Sequence, residues 1–378
     1  GVILVSIAYR VGALGFMAHP ELTAESENNV SGNYGLLDQI AGLKWVQENI
    51  SAFGGDRTRV TIFGESAGAI SVSMLCASPL ARGLFAGAIS QSGGSFGPVG
   101  ESRESGEFMQ SLAGAEQTGV EFAKRMGAGS IAELRNISPD KWLSDPQSQM
   151  GGFWPVADGY VITDDQYKLY EAGNYNDVNV MIGTNSDEGS LFMGPMKPEE
   201  YTGMMKMRFG PLADRALQIY PGNTEYETHA SLTDIFRDMV FAWPSWTWAR
   251  LQSKTGKSRV YLYYFDQFRK EPFFPGGPVP KGAAHASEIP YVFGHLNQNP
   301  DAKPTEEELT LSDIMIKYWT NFAKNGDPNG EGLPEWPLFG EGKESVMYLK
   351  GSESMPIEVP NLDELLLMEE YYKWLRER

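Results

Sequence analysis

The chain has 378 residues, a formal net charge of −18, 42% hydrophobic and 12% aromatic residues. That apolar content supports a large core and excludes a disordered chain. The acidic balance excludes a surface built for phosphate backbones, so no nucleic acid is expected as a partner and a neutral or weakly charged small molecule fits better. Cys76 is the only cysteine. No intrachain disulfide can form, and within Ser73-Met74-Leu75-Cys76-Ala77 the thiol reads as core.

No apolar run reaches the ~18 residues of a membrane span. Gly1-Val2-Ile3-Leu4-Val5-Ser6-Ile7 has neither an initiator methionine nor a basic flank, so it reads as a strand entered midway, with residues expected upstream, and not as a signal peptide. No cellular address is legible in it. The continuous apolar run over residues 2–9 predicts a strand covered on both faces of a mostly parallel sheet. Gly12, Gly15 and Pro20 then break the chain into a loop reaching Gly32. From Asn33 a helix is predicted, with Leu36, Ile40, Leu43, Val46 and Ile50 on one face at helical period, stopping at Gly54-Gly55.

Val60, Ile62 and Phe63 form a short strand signal that runs into Gly64-Glu65-Ser66-Ala67-Gly68. A helix follows and ends by Pro79. A serine between strand and helix sits on a sharp bend that projects its hydroxyl, with glycines at Gly64 and Gly68 allowing close backbone approach. Ser66 is therefore the candidate nucleophile, and the N–H of Ala67 is the candidate oxyanion donor. A short strand is predicted over 86–90, entering Ser92-Gly93-Gly94. Strand, helix, strand, helix, strand at this spacing means an α/β fold with a mostly parallel sheet flanked by helices.

Residues 97–176 read as an inserted excursion with polar helices over 119–126 and 131–137. The buried-strand pattern resumes over 178–184. A helical stretch over 198–252 carries methionines and tryptophans, and a strand follows over 260–265. A helix over 311–325 places Leu311, Ile314, Met315, Tyr318 and Phe322 on one face, then turns at 326–330. The last helix is predicted over 362–378 with Asn361 as its N-cap. The whole chain, 1–378, reads as a single catalytic domain in which 97–176 and 198–252 are helical insertions forming cap and pocket walls.

A serine hydroxyl needs a base to take its proton, and the base works best when a third group orients it. In α/β hydrolases the chain order is serine, acid, histidine. His19 precedes Ser66 and is excluded by that order, and His229 falls in a predicted helix with a solvent-facing role. His285 and His295 both follow the strand over 260–265. His285 is favoured because it lies among small residues and nearer the strand end. For the acid, Asp187 and Glu188 both follow the strand over 178–184, and the residues alone do not choose between them. Asp158, before Gly159, reads as a turn.

Segments spread from end to end resemble the type-B carboxylesterase family, related to cholinesterases and bacterial para-nitrobenzyl esterases. They include Tyr9-Arg10-Val11-Gly12-Ala13-Leu14-Gly15-Phe16, Gly32-Asn33-Tyr34-Gly35-Leu36-Leu37-Asp38-Gln39, Gly64-Glu65-Ser66-Ala67-Gly68, Gly183-Thr184-Asn185-Ser186-Asp187-Glu188-Gly189 and His285-Ala286-Ser287-Glu288-Ile289-Pro290. The resemblance implies an α/β-hydrolase fold, ester hydrolysis without cofactor or metal, Ser66 as nucleophile, Glu188 as acid and His285 as base. It also implies that Glu65 faces the site and that Ser92 is a hydrogen-bonding neighbour. The sequence departs from the family in having no His-Gly-Gly; the glycine pairs present, among them Gly93-Gly94, Gly151-Gly152 and Gly276-Gly277, fit other roles. With only the Ala67 N–H as oxyanion donor, a weak enzyme or a non-catalytic binding protein is the alternative. Phe192 and Met193, just past the acid loop, are the candidate pocket residues. A first strand left without a neighbour is expected to offer a sheet edge for pairing with another chain.

Overall fold

The computed structural model describes residues 1–101, 109–148, 152–270, 281–298, 303–340, 342 and 344–378. Gly151 and the Gly276-Gly277 pair lie outside the described residues. Among the described residues eight strands are formed, β1 (Thr61–Glu65), β2 (Gly87–Gln91), β3 (Gln110–Ser111), β4 (Val156–Ala157), β5 (Asn179–Asn185), β6 (Val260–Phe265), β7 (Ser345–Leu349) and β8 (Met355–Glu358). The main sheet has the order β1-β2-β5-β6-β7-β8, parallel throughout except for the antiparallel β7–β8 pair. β3 and β4 pair separately, as a two-stranded parallel ribbon.

The central strands are apolar on both sides because both sides are covered. Val180, Ile182, Val260 and Leu262 join one buried cluster, with the helices Tyr34–Asn49, Ala67–Ala77 and Trp243–Thr255. Met181, Tyr261, Tyr263 and Phe265 join the other, against Leu311, Met315, Tyr318 and Phe322 of the helix Glu306–Asn325. Successive strand residues thus feed alternate clusters, the period of two expected of a pleated strand. These features, with the sheet order, make the fold an α/β hydrolase.

The predicted helix after Asn33 runs Tyr34–Asn49, and all five of its predicted core residues are buried. Its stop is a 3₁₀ turn closed by Gly54 at φ 79°. The strands predicted over 86–90, 178–184 and 260–265 form as β2, β5 and β6.

Residues 2–9 do not form a strand. Val2, Ile3 and Leu4 are 48–60% exposed, and a cleft of about 910 Å³ separates this segment from β1. A strand is made by ladder hydrogen bonds to a neighbour about 4.8 Å away, and across such a cleft an apolar run has no ladder to join. The sheet edge therefore belongs to β1. The stretch 12–32 is not all loop, since Gly12–Phe16 and Pro20–Glu25 are short helices. Asn361 does not cap its helix by a side-chain bond; it sits at φ 55°, and Leu362–Arg376 follows. β7 and β8 carry short, mixed patterns that the sequence reading passes over.

Candidate active site

Ser66 stands between β1 and the helix Ala67–Ala77 with φ 56° and ψ −119°. A non-glycine residue there holds about 1–3 kcal/mol of backbone strain. The bend is fixed by neighbours: Ser66 N–H donates to Gln91 O at 2.9 Å, and Ile70 N–H closes the first helical turn on Ser66 O at 2.9 Å. A Cβ on Gly64 would lie 2.5 Å from the Gly68 carbonyl carbon, so only glycine fits at that point. Gly68 does not share the constraint, because a Cβ there meets nothing within 4 Å. Ala67 opens the helix, so its N–H has no intrahelical partner by construction.

The acid loop and the histidine loop meet beside this bend. Asp187 N–H donates to Ala283 O at 2.9 Å, joining the two loops in a parallel bridge. His285 Nδ1 lies 2.6 Å from Glu188 Oε2. Glu188 is fully buried, and its Oε1 accepts from Asn185 N–H at 2.7 Å and from Ser92 Oγ at 2.5 Å. Each carboxylate oxygen thus has a donor, which is what a buried carboxylate requires. Ser92 is itself held at φ 57° by its N–H on Gly183 O, 2.8 Å away.

The other ring nitrogen, His285 Nε2, lies 3.2 Å from Glu65 Oε1. No hydrogen bond joins it to Ser66 Oγ in this structure, and Glu65 Oε1 has no aligned donor of its own. Burial pushes the Glu65 carboxyl up to about 7; the His285 ring opposes this, while Glu288 and Glu188 add to it. Burial lowers the affinity of His285 for a proton, yet the hydrogen bond and charge of Glu188, with Glu65 and Glu288, raise it overall above its ordinary value.

Glu288, three residues past His285, is a buried carboxyl the sequence reading did not single out. Its two oxygens accept from Gln91 Nε2 at 2.9 Å and Asn185 Nδ2 at 2.6 Å. Gln91 in turn accepts from Trp319 Nε1 at 2.9 Å. Burial raises the Glu288 carboxyl, and the nearby Glu188 adds to it.

Two phenylalanines wall the imidazole, and a third, Phe236, packs against both of them. Phe241 stacks on His285 at 4.7 Å between centroids and 24° between planes. Phe192 meets the same ring edge-on at 5.3 Å and stacks on Phe236 at 4.8 Å. Phe192 is 41% exposed, whereas Phe241 is 3% exposed. Phe236 and Phe241 are absent from the sequence-based pocket, and helical spacing hides them: residues five apart do not share an α-helical face. Here Glu225–Arg237 passes into a π-helix, Asp238–Ala242, whose i→i+5 bonding brings such residues together. Their centroids are 5.8 Å apart.

The remaining candidates are placed elsewhere. Met193 is half-buried, and its carbonyl accepts from His229 Nε2 at 3.1 Å, so His229 is not simply solvent-facing. His19 is buried, and its Nδ1 accepts from Glu21 N–H. His295 is exposed against Phe293. Asp158 Oδ1 accepts from the N–H groups of Tyr160, Val161 and Ile162, a local turn as read. Among the described residues no group of three His, Cys, Asp or Glu is arranged to hold a metal ion.

Residues 1–362 match the model of the Carboxylesterase family. The chain belongs to that family. It is 35% identical to the fumonisin B1 esterase of Sphingopyxis macrogoltabida over 90% of this chain and 62% of that one. It is 34% identical to the para-nitrobenzyl esterase of Bacillus subtilis (strain 168), covering 92% of this chain and 69% of the relative. A solved PNB esterase superimposes with a TM-score of 0.76 at 31% identity, over 95% of this chain and 73% of that one. The chain thus spans about six tenths of the length of the fumonisin esterase it resembles. No helix among the described residues is long and apolar enough to cross a membrane.

Proposed function

We propose that the protein is a serine hydrolase of carboxylic esters, acting through an acyl-enzyme with Ser66 as nucleophile, His285 as general base and Glu188 as the orienting acid. The observation that carries this reading is the buried 2.6 Å contact between His285 Nδ1 and Glu188 Oε2 beside a strained serine turn. Glu188 holds the tautomer that leaves Nε2 free to accept a proton. Ser66 Oγ attacks the ester carbonyl, its proton passes to Nε2, and the alcohol leaves with that proton. Water, activated by the same nitrogen, then attacks the acyl carbon and restores Ser66. In this structure Nε2 is turned toward Glu65, so the Ser66 hydrogen bond is one that substrate binding has to complete. The Ala67 N–H serves the developing oxyanion, and Ser92 steadies Glu188.

The substrate class in this reading is neutral esters, aromatic ones among them, on two grounds. The net charge of −18 disfavours anions, and Phe192 presents an apolar face beside the imidazole. Since the three residues come from segments far apart in the chain, residues 1–378 act as one catalytic unit, with 97–176 and 198–252 as helical insertions. We also infer self-pairing through the edge of β1, which has no strand beside it among the described residues.

The test is hydrolysis of a para-nitrophenyl acyl ester by the protein and by Ser66→Ala. Loss of turnover by about 10⁴–10⁶ is expected. Turnover by the variant near that of the parent sinks the assignment. Absence of turnover in both, with intact folding, favours the alternative of an esterase-like binding protein.

A further inference from the structure

Phe241 does something that none of the roles above covers. It is buried, at 3% exposure, and its ring lies almost parallel to the imidazole at 4.7 Å. We propose that Phe241 is a positioning residue for His285, holding the ring in plane and stabilising the imidazolium formed when Nε2 takes the serine proton. The inference rests on the assignment of His285 as base.

Three observations carry it. The first is orientation. Two single bonds set an imidazole, and the 2.6 Å contact with Glu188 restrains only one edge of it. Rotation about the axis through that contact stays open unless a flat group lies against the ring face. Phe241 is that group, and Phe192, edge-on at 5.3 Å, closes one rim.

The second is electrostatic. An aromatic face carries negative quadrupole density and attracts a cation above it, by about 0.5–2 kcal/mol according to desolvation. Neutral imidazole gains little from this and imidazolium gains more. The contact therefore grows during proton transfer, the kind of interaction that raises kcat without tightening ground-state binding.

The third is how Phe241 is carried. It lies in the single π turn Asp238–Ala242. That turn begins at Asp238, a fully buried carboxylate gripped by Arg237 through Nε at 2.8 Å and Nη2 at 3.0 Å. Tyr220 OH donates to the same carboxylate at 2.8 Å. A π turn in place of a regular α turn is a local departure from ideal geometry, and this one is anchored by a buried ion pair. Its effect is to place a phenylalanine against the histidine.

The experiment uses Phe241→Leu, which keeps apolar volume and removes the π face, with Phe241→Met as a second filler and Phe241→Tyr as the conservative variant. Two readouts are taken. In steady-state ester hydrolysis, Phe241→Leu and Phe241→Met should lower kcat about tenfold with KM unchanged, the size of one cation–π contact, and Phe241→Tyr should recover most of the loss. In a Ser66→Ala background, NMR titration of the His285 ring follows its protonation without turnover. Glu188 and Glu65 face that ring, Glu288 acts on it as a nearby charge, and all three stay in place, so the midpoint should move to lower pH in Phe241→Leu and not in Phe241→Tyr.

Unchanged kcat in the Leu and Met variants, or a loss shared equally by kcat and KM with no movement of the titration, overturns the proposal. A loss in all three variants together with a lowered melting temperature also overturns it, because that is a packing effect alone. If the ring titrates as expected while Ser66→Ala still hydrolyses ester, the contact stands and the catalytic assignment falls.

Discussion

The imidazole of His285 is bounded by carboxyls at both nitrogens, Glu188 at Nδ1 and Glu65 near Nε2. In the proposed mechanism only the neutral ring can accept the Ser66 proton, and the affinity of His285 for a proton is raised above the ordinary 6.5. Since the ring loses its proton as pH rises, kcat/KM should climb through a midpoint above 6.5. Glu65, pushed up to about 7, titrates in the same window, so the limb belongs to the pair. Glu65 in its ionised form helps hold the proton on His285. Glu65→Gln should therefore move the acidic limb to lower pH, and a limb that stays in place would show that Glu65 does not act on the ring. The same raised affinities bear on stability. Both groups bind protons more tightly folded than unfolded, so their contribution is retained at low pH and lost as pH rises through the folded values.

Among the elements, the helix Glu306–Asn325 illustrates which signals a sequence offers. Its apolar face from Leu311 to Phe322 was legible, because buried positions recur at helical period. Its start was not legible in the predicted boundary, which began at 311. The true start is a capping box: Thr305 Oγ1 accepts from Glu308 N–H at 3.2 Å, and Glu308 Oε2 accepts from Thr305 N–H at 2.8 Å. Glu308 also pairs with Arg269 at 2.6 Å. Thr305→Ala should cost about 0.5–2 kcal/mol, read as a lower denaturation midpoint. At the elbow, Gly64→Ala should cost more, about 1–3 kcal/mol, since its Cβ would press on the Gly68 backbone. A variant at Gly64 as stable as the parent would show that the turn can open.

At the scale of the whole molecule, the sheet formed by the described residues has two unlike edges. One ends in the short antiparallel β8, and the other is β1, facing the cleft beside residues 1–7. Exposed Phe63 lies in β1. Pairing through this edge should raise the sedimenting mass with concentration, and more so at high salt, which screens the net charge of −18. Phe63→Lys should oppose it by placing a charge on the edge. A monomer at every concentration and salt refutes self-pairing.

The sequence by itself determined the α/β class, the central strands and the serine turn, and it supplied the candidates for serine, acid and histidine in that chain order. Those are local matters: a run of apolar residues, a glycine spacing, a position along the chain. It also named Glu188 in preference to Asp187, though through resemblance and not through the residues themselves. Tertiary structure alone decided the rest. The apolar run over 2–9 is no strand, because a strand exists only with a partner. Glu288 joins the buried polar network because Gln91 and Asn185, from other strands, supply its donors. Phe236 and Phe241 share one wall because a single π turn alters the helical period between them. Each outcome depends on which groups meet across the chain, and no local pattern encodes that.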